Sequence, residues 1–301
     1  MFSLEKYLER IGYAGPVEPT LETLRGLSRS AMLAVPFEFL DYLGEEGERF
    51  LDLGTDRLFE KVVTQHGGGG CFENNALFAE VLKEIGFEAT VLGSYMWRPH
   101  FNEYSKVYGH MLLMVTLDGA PWLVDSSFSH ATFSEPIRFA AGEVQEQRGW
   151  KYEIRPEEHI AEEGAAPQDA FVVYRAGASG KWMPLYKFVP EPAKLADFEE
   201  SGNYLASPER KSHLLDTVLW ARTLPEGNIT LMDQILITAT PGMERIRKVT
   251  DLAEAFEVID EIFDGHPQLA ARGKAVWEKR FGTPTESEQV VATDVNEVAT
   301  W

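Results

Sequence analysis

The sequence predicts an α+β chain of several units, on three observations. At 301 residues it exceeds the usual size of one compact domain. Up to Phe87, apolar side chains recur at helical spacing; beyond it the texture switches to short β-rich runs broken by turn signals. The composition is that of a globular protein, with 44% hydrophobic, 12% aromatic and 25% charged residues, which excludes a disordered, collagen-like or coiled-coil chain as a whole.

The elements follow in order. Leu4, Tyr7, Leu8 and Ile11 mark one helix face, and Leu21, Leu24, Leu27 and Met32 repeat it more loosely. Pro36 breaks the pattern, and Phe59, Val62 and Val63 open a short apolar segment. Four glycines, Gly67 to Gly70, lead into Cys71, where helical spacing resumes through Phe78, Leu82 and Ile85 and stops at Gly86. β-rich runs at Ala89 to Trp97, Met111 to Leu117, Trp122 to Val124, Phe171 to Tyr174 and Trp182 to Val189 predict a compact sheet or barrel. The polar stretch from Arg155 to Asp169 reads as a surface excursion, and Pro190 to Asn203 as a helical connector. Leu214 to Arg222 and Ile229 to Thr240 read as strands, Leu252 to Phe263 as a helix, and everything from Gly282 as a loose tail. The expected division is therefore residues 1–88 helical, 89–190 β-barrel, 191–213 connector, 214–281 α/β and 282–301 tail.

Charge narrows the partners. Lys and Arg number 28 against 48 Asp and Glu, a net charge of −20 that repels a phosphate backbone or an anionic membrane surface. Apolar runs such as Met111 to Val115 are too short to span a bilayer, and Met1 to Tyr13 lacks the apolar core of a signal peptide. A cytoplasmic protein that binds neither nucleic acid nor membrane is the expectation. Nothing in the sequence specifies an oligomeric state.

Cys71 is the one cysteine, so neither an internal disulfide nor a multi-thiolate zinc site can form, and no metal is expected. The bland reading of a lone cysteine is a buried, inert thiol. The four glycines and the helix start argue against it. Unpaired N–H groups and the macrodipole at a helix N-terminus stabilise a thiolate, and the same groups can hold a developing oxyanion. No Lys-Ser/Thr pair follows the glycines, so a phosphate-binding Walker loop is excluded.

A hairpin supplies the rest. Asp118-Gly119 is a preferred central pair for a two-residue type I′ turn, which sets Leu117 opposite Ala120 and His110 opposite Ser127. His110 and Asp125 then share one face as diagonal neighbours, roughly 7 Å apart at Cβ. Cys71, His110 and Asp125 together offer a nucleophile, a base and a carboxylate to orient it. Singly, His110 reads as a core histidine and Asp125 as a turn cap. His100 and His130 compete as bases from turn-like stretches, and His66 borders the glycine loop.

These residues resemble the arylamine N-acetyltransferases. The resemblance rests on Val35-Pro36-Phe37-Glu38, on the run from Gly68 to Asn75 around Cys71, on Gly109-His110-Met111-Leu112, and on Val124-Asp125 with Phe128. It implies a helical bundle, a β-barrel and an α/β lid around a cysteine-protease-like catalytic core. It also implies that Cys71, His110 and Asp125 are catalytic and that no cofactor is bound. Acetyl-CoA or another acyl-CoA is then a cosubstrate that acylates Cys71 before an arylamine or arylhydrazine accepts the group. Phe37, Gly70, Phe72, Tyr108, Ser127, Phe128 and Ser129 are the expected substrate-facing residues, with Tyr95 and Trp97 as further aromatic candidates. Arg98, Lys181, Arg210, Lys211 and Arg222 could meet CoA phosphates or serve as surface counter-ions.

Two departures from the family pattern stand out. Gly67 occupies the place of a usual arginine that pairs with the acid at Glu38, so Glu38 needs another partner. Ser127 and Ser129 replace two usual glycines around Phe128. Three other readings stay open: an amide synthase fed by a carrier protein, a cysteine hydrolase, and a catalytically silent aromatic-binding homologue.

Overall fold

The computed structural model describes residues 1–42, 51–130, 132–160, 166–177, 179–206 and 217–282. Helix α1 (Leu4–Arg10) starts at Ser3, whose hydroxyl accepts from Lys6 N, and α2 (Leu21–Ala34) starts likewise at Thr20. α2 buries Leu24, Leu27, Ala31 and Met32, the face the spacing predicts, and ends before Pro36. α3 (Thr55–Phe59) runs into a π-helical turn, Glu60–Thr64, that buries Val62 and Val63. α4 (Cys71–Ile85) begins at the cysteine itself and stops at Gly86, whose φ of 100° is the left-handed cap a side chain would disfavour.

One antiparallel sheet of nine strands follows: β1 (Glu88–Arg98), β2 (Glu103–Tyr104), β3 (His110–Leu117), β4 (Ala120–Val124), β5 (Ile137–Arg138), β6 (Val144–Gln147), β7 (Trp150–His159), β8 (Gln168–Ala176) and β9 (Trp182–Pro192). Its order is β5-β4-β3-β1-β9-β8-β7-β6, with β2 added on β1. The sheet curls so that its end strands meet through side chains. The Gln145 amide of β6 accepts from Arg138 N (2.6 Å) and donates to Arg138 O (2.7 Å) on β5. Gln147 does the same just before β5, with Glu135 N (3.1 Å) and Glu135 O (2.7 Å). Two glutamine amides thus stand in for ladder bonds and nearly close a barrel.

Residues Arg155 to Asp169 correct the expected surface excursion. β7 and β8 pair through this stretch, from Arg155↔Val172 to His159↔Gln168, and 161–165 lie outside the described residues. The polar residues face outward on a hairpin, which the sequence alone presents as a loop.

α5 (Leu195–Ala206) follows β9. A second antiparallel sheet holds β10 (Leu219–Leu224), β11 (Gly227–Met232), β12 (Ile235–Thr240) and β13 (Met243–Lys248), covered by α6 (Leu252–Ile262) and α7 (Pro267–Phe281). The expected single strand from Ile229 to Thr240 is two strands, because Asp233 turns the chain with φ of 50°. Residues 207–216, which include Leu214, Arg210 and Lys211, and the expected tail beyond 282 lie outside the described residues.

Three buried clusters organise this α+β fold. α4 packs Leu77, Phe78 and Val81 on Met111, Leu113 and Val115, the outward side of β3. Leu92, Leu112, Leu123, Tyr186 and Phe188 fill the barrel, and Trp220, Ile259, Phe263 and Trp277 fill the space between the second sheet and its helices. β3 is therefore buried on both faces. Its period-2 alternation puts His110 on the barrel side with Leu112.

Candidate active site

Cys71 heads α4, 8% exposed, with its Sγ 3.7 Å from Gly109 O. Gly70, directly before it, lies under the Phe39 ring, so a side chain there would collide with the aromatic edge. The β3–β4 hairpin forms in the predicted register, Leu117↔Ala120 through Leu113↔Val124, with both Asp118 and Gly119 at positive φ. His110 and Asp125 meet across it, Nε2 to Oδ2 at 2.8 Å, and neither has any exposed surface. Because the carboxylate only accepts, Nε2 carries the proton. The buried Nδ1 makes no hydrogen bond of its own and is left for the Cys71 thiol. Burial opposes a charge on this imidazole, yet the Asp125 carboxylate and Cys71 outweigh it and raise its pKa to about 10.

Asp125 is held by more than the histidine. Its Oδ1 accepts from Asn75 Nδ2 and from Ser127 N, each at 3.1 Å, and Tyr186 OH reaches Oδ2 at 3.4 Å. Asn75 stands one helical turn after Cys71, on the same face of α4. Its amide also donates to Met111 O (2.8 Å) and accepts from Ser126 N and Ser126 Oγ, both at 2.9 Å. This one side chain ties α4 to β3 and to the aspartate loop. Tyr186 lies tilted against the His110 ring at 4.7 Å, and Phe128 meets that ring edge-on at 4.9 Å. Burial, then the nearby Asp125 charge, keep the tyrosine hydroxyl protonated and able to donate.

The remaining expected residues separate into two groups. Phe128 and Ser127 touch the histidine–aspartate pair, and Ser127 Oγ also accepts from Asn74 Nδ2 at 2.9 Å. Ser129 Oγ contacts His130 Nδ1 at 2.8 Å, so the serines at the two usual glycine positions spend their hydroxyls on internal bonds. Phe72 and Tyr108 instead flank Phe198 of α5, at 5.1 Å and 5.2 Å between ring centres. Phe37 lies edge-on to Phe39, and its backbone bonds Ala221 in both directions at 2.9 Å, joining the second sheet to the glycine-loop region. His66 contributes its carbonyl to His266, and the side chain of His100 lies outside the described residues. Arg98 pairs with Glu103 and Arg222 with Asp264, the counter-ion arrangement. Among the described residues no group of three or more His, Cys, Asp or Glu could hold a metal ion.

Glu38, fully buried, finds its partner in Lys61. The ammonium lies 3.4 Å from Glu38 Oε1, 3.0 Å from Asp41 Oδ2 and 2.9 Å from Glu73 Oε1. Gly67 has no room for the usual arginine, since a Cβ there would meet Lys61 O at 2.6 Å. The sequence assigns no role to Asn75, Lys61 or Tyr186. Asn75 lies inside the matched run, whereas no spacing rule places Lys61 beside Glu73.

A family model described as N-acetyltransferase matches residues 20–266, most of the chain. The chain belongs to the arylamine N-acetyltransferase family. It is thus an acyltransferase by lineage. Arylamine N-acetyltransferase 2 of Homo sapiens is 32% identical over 273 residues, 86% of this chain and 89% of that protein. Proansamycin X synthase of Amycolatopsis mediterranei is 29% identical over 271 residues, 88% and 98% of the two chains. The solved arylamine N-acetyltransferase of Mycobacterium marinum in complex with CoA superposes with a TM-score of 0.76 at 27% identity, covering 92% of this chain and 99% of that one.

Proposed function

We propose that this chain moves an acetyl or other short acyl group from acyl-CoA to an arylamine or arylhydrazine through a thioester on Cys71. The observation that carries this reading is the buried His110 imidazole, held by Asp125 at 2.8 Å and raised to about 10 beside the only cysteine. Such an imidazole accepts the thiol proton and leaves a thiolate–imidazolium pair. The thiolate attacks the thioester carbonyl, and the first-turn N–H groups of α4 stand where the oxyanion develops. As the tetrahedral species collapses, the C–S bond to CoA breaks and the imidazolium proton goes to the departing thiolate. In the second half, the amine nitrogen attacks the acyl-cysteine, His110 takes its proton, and the Cys71 sulfur leaves. Asp125 stabilises the imidazolium and fixes the ring throughout. A reducing compartment such as the cytoplasm suits a reaction that needs a free thiol. CoA binding by the Mycobacterium marinum relative supports the donor.

Initial rates over a grid of acetyl-CoA and a small arylamine test this. Parallel double-reciprocal lines are expected, with turnover abolished in Cys71→Ala; intersecting lines would replace the two-step scheme with a ternary complex.

The match to proansamycin X synthase, spanning 98% of that protein, favours one second reading: an amide synthase that takes a larger acyl chain from a carrier protein. Carrier proteins are usually acidic, and a net charge of −20 opposes their docking unless a local basic patch receives them. Acylation by a carrier-bound chain but not by acetyl-CoA would select it.

A further inference from the structure

Lys61 is 12% exposed and stands among three carboxylates, two from the stretch after α2 and one from α4. Its Nζ lies 2.9 Å and 3.1 Å from the two oxygens of Glu73 on α4. Asp41, 3.0 Å away in the short turn after Phe39, is shared with Arg272 of α7 at 2.9 Å. Glu38, 3.4 Å away, also accepts from Leu40 N. Arg10 of α1 donates to Val62 O, next along the chain from Lys61, and to Gly67 O.

Glu73 is the third residue of α4. Gly70 has no side chain, so only the return half of a capping box forms, Gly70 N donating to Glu73 Oε2 at 3.0 Å. The missing half would have occupied the Glu73 N–H. The first described bond of the helix, Asn74 N to Gly70 O at 3.0 Å, lies beyond the N–H groups of Cys71, Phe72 and Glu73. These donors stay available beside the thiol, and their direction depends on how Gly70 is held.

We propose that Lys61 is a positioning residue for the reaction at Cys71: by gripping both oxygens of the Glu73 carboxylate, it makes Glu73 the anchor of the Gly70 N–H and so fixes the first turn of α4. This rests on Cys71 being the nucleophile. Without the ammonium, two buried carboxyls, Glu38 and Glu73, face each other with no countercharge. The Lys61 charge then no longer offsets the burial of Glu38, so Glu38 takes up a proton more readily, and its hydroxyl donates to Glu73 in competition with the Gly70 N–H. Burial already pushes the Glu38 carboxyl up in the intact cluster.

The test compares wild type, Lys61→Arg, Lys61→Met and Lys61→Met/Glu73→Gln. Iodoacetamide alkylation of Cys71 is followed against pH without any acyl donor, and acyl-enzyme formation is followed against acetyl-CoA concentration. Lys61→Met should alkylate about tenfold more slowly at pH 6, as expected when one charge-assisted hydrogen bond is lost. Its profile should gain the ionisation of a carboxyl raised further by the loss of the Lys61 charge, and its acylation rate should fall while the KM for acetyl-CoA stays within about twofold. Lys61→Arg should keep the wild-type profile. In the double variant the neutral amide that replaces the Glu73 carboxylate accepts from Gly70 N without a countercharge, so most of the lost rate should return. An unchanged Lys61→Met profile would overturn the proposal, and so would a double variant no faster than the single one, since a purely structural ion pair gives that result. Lys61→Gln takes the same place in the comparison if Lys61→Met does not accumulate. Failure of the underlying reading looks different: wild-type Cys71 would alkylate no faster than free cysteine.

Discussion

At the scale of single residues, the proposed chemistry and the expected pH response both run through the His110–Asp125 contact. Asp125→Asn keeps the shape but favours the wrong imidazole tautomer, so turnover should drop by about 10³–10⁴ with substrate binding retained. The folded imidazole titrates near 10 against an ordinary 6.5, so it contributes stability fully below 6.5 and loses that contribution as pH rises through about 10. Thermal melts across that window should show the fall, and Asp125→Asn should flatten it. His130 has the opposite sign. Burial and then the Arg175 guanidinium push it down to about 4, so the fold loses stability as pH drops from 6.5 toward 4. His130→Gln should remove that part of the acid limb in the same melts. Asn75 carries the largest structural load near the site. Asn75→Ala strands the buried Ser126 N–H and leaves Asp125 Oδ1 with the Ser127 N–H alone, a cost of about 1–3 kcal/mol in denaturant unfolding.

At the scale of elements, the sequence is legible where a local rule is strong and silent where a partner is distant. The Asp118-Gly119 turn fixes the β3–β4 register, and with it the face shared by His110 and Asp125, from two residues. The start of α4 at Cys71 and its stop at Gly86 are likewise written in local glycines. β5 and β6 carry no comparable signal because they are short or polar, and the barrel's closure recruits them; β7 alternates Trp150, Tyr152 and Ile154 with Lys151, Glu153 and Arg155, but the polar run that follows masks where it ends. Lys61 is hidden for the same reason, since its ion pairs join segments separated in sequence and only folding brings them together. Replacing Gln145 and Gln147 together by Ala should weaken the β5–β6 junction and lower stability by about 1–3 kcal/mol, with Cys71 alkylation unchanged at low temperature. Gly67→Ala should be destabilising by a similar amount, about 1–3 kcal/mol, because its Cβ meets backbone at Lys61 rather than a movable side chain.

At the scale of the whole molecule, the groups proposed to react are assembled from parts that do not form a site alone. α4 brings the thiol, the barrel brings the imidazole and carboxylate, and the second sheet docks against the glycine-loop region through Phe37 and Ala221. His266, at the start of α7, reaches His66 O (2.8 Å) and Ala34 O (3.2 Å), a second link from the C-terminal unit to the same region. An acidic chain with net charge −20 keeps its charged networks at this seam partly internal, where Lys61 and Arg10 sit. The central claim is that Cys71 carries the acyl group between donor and acceptor. Intact-mass analysis after incubation with acetyl-CoA, without any amine and beside Cys71→Ala, tests it most directly. A single acetyl adduct on the wild type, absent from the variant and discharged by an added arylamine, is the predicted result. An adduct that persists in Cys71→Ala, or one that no arylamine discharges, would contradict it.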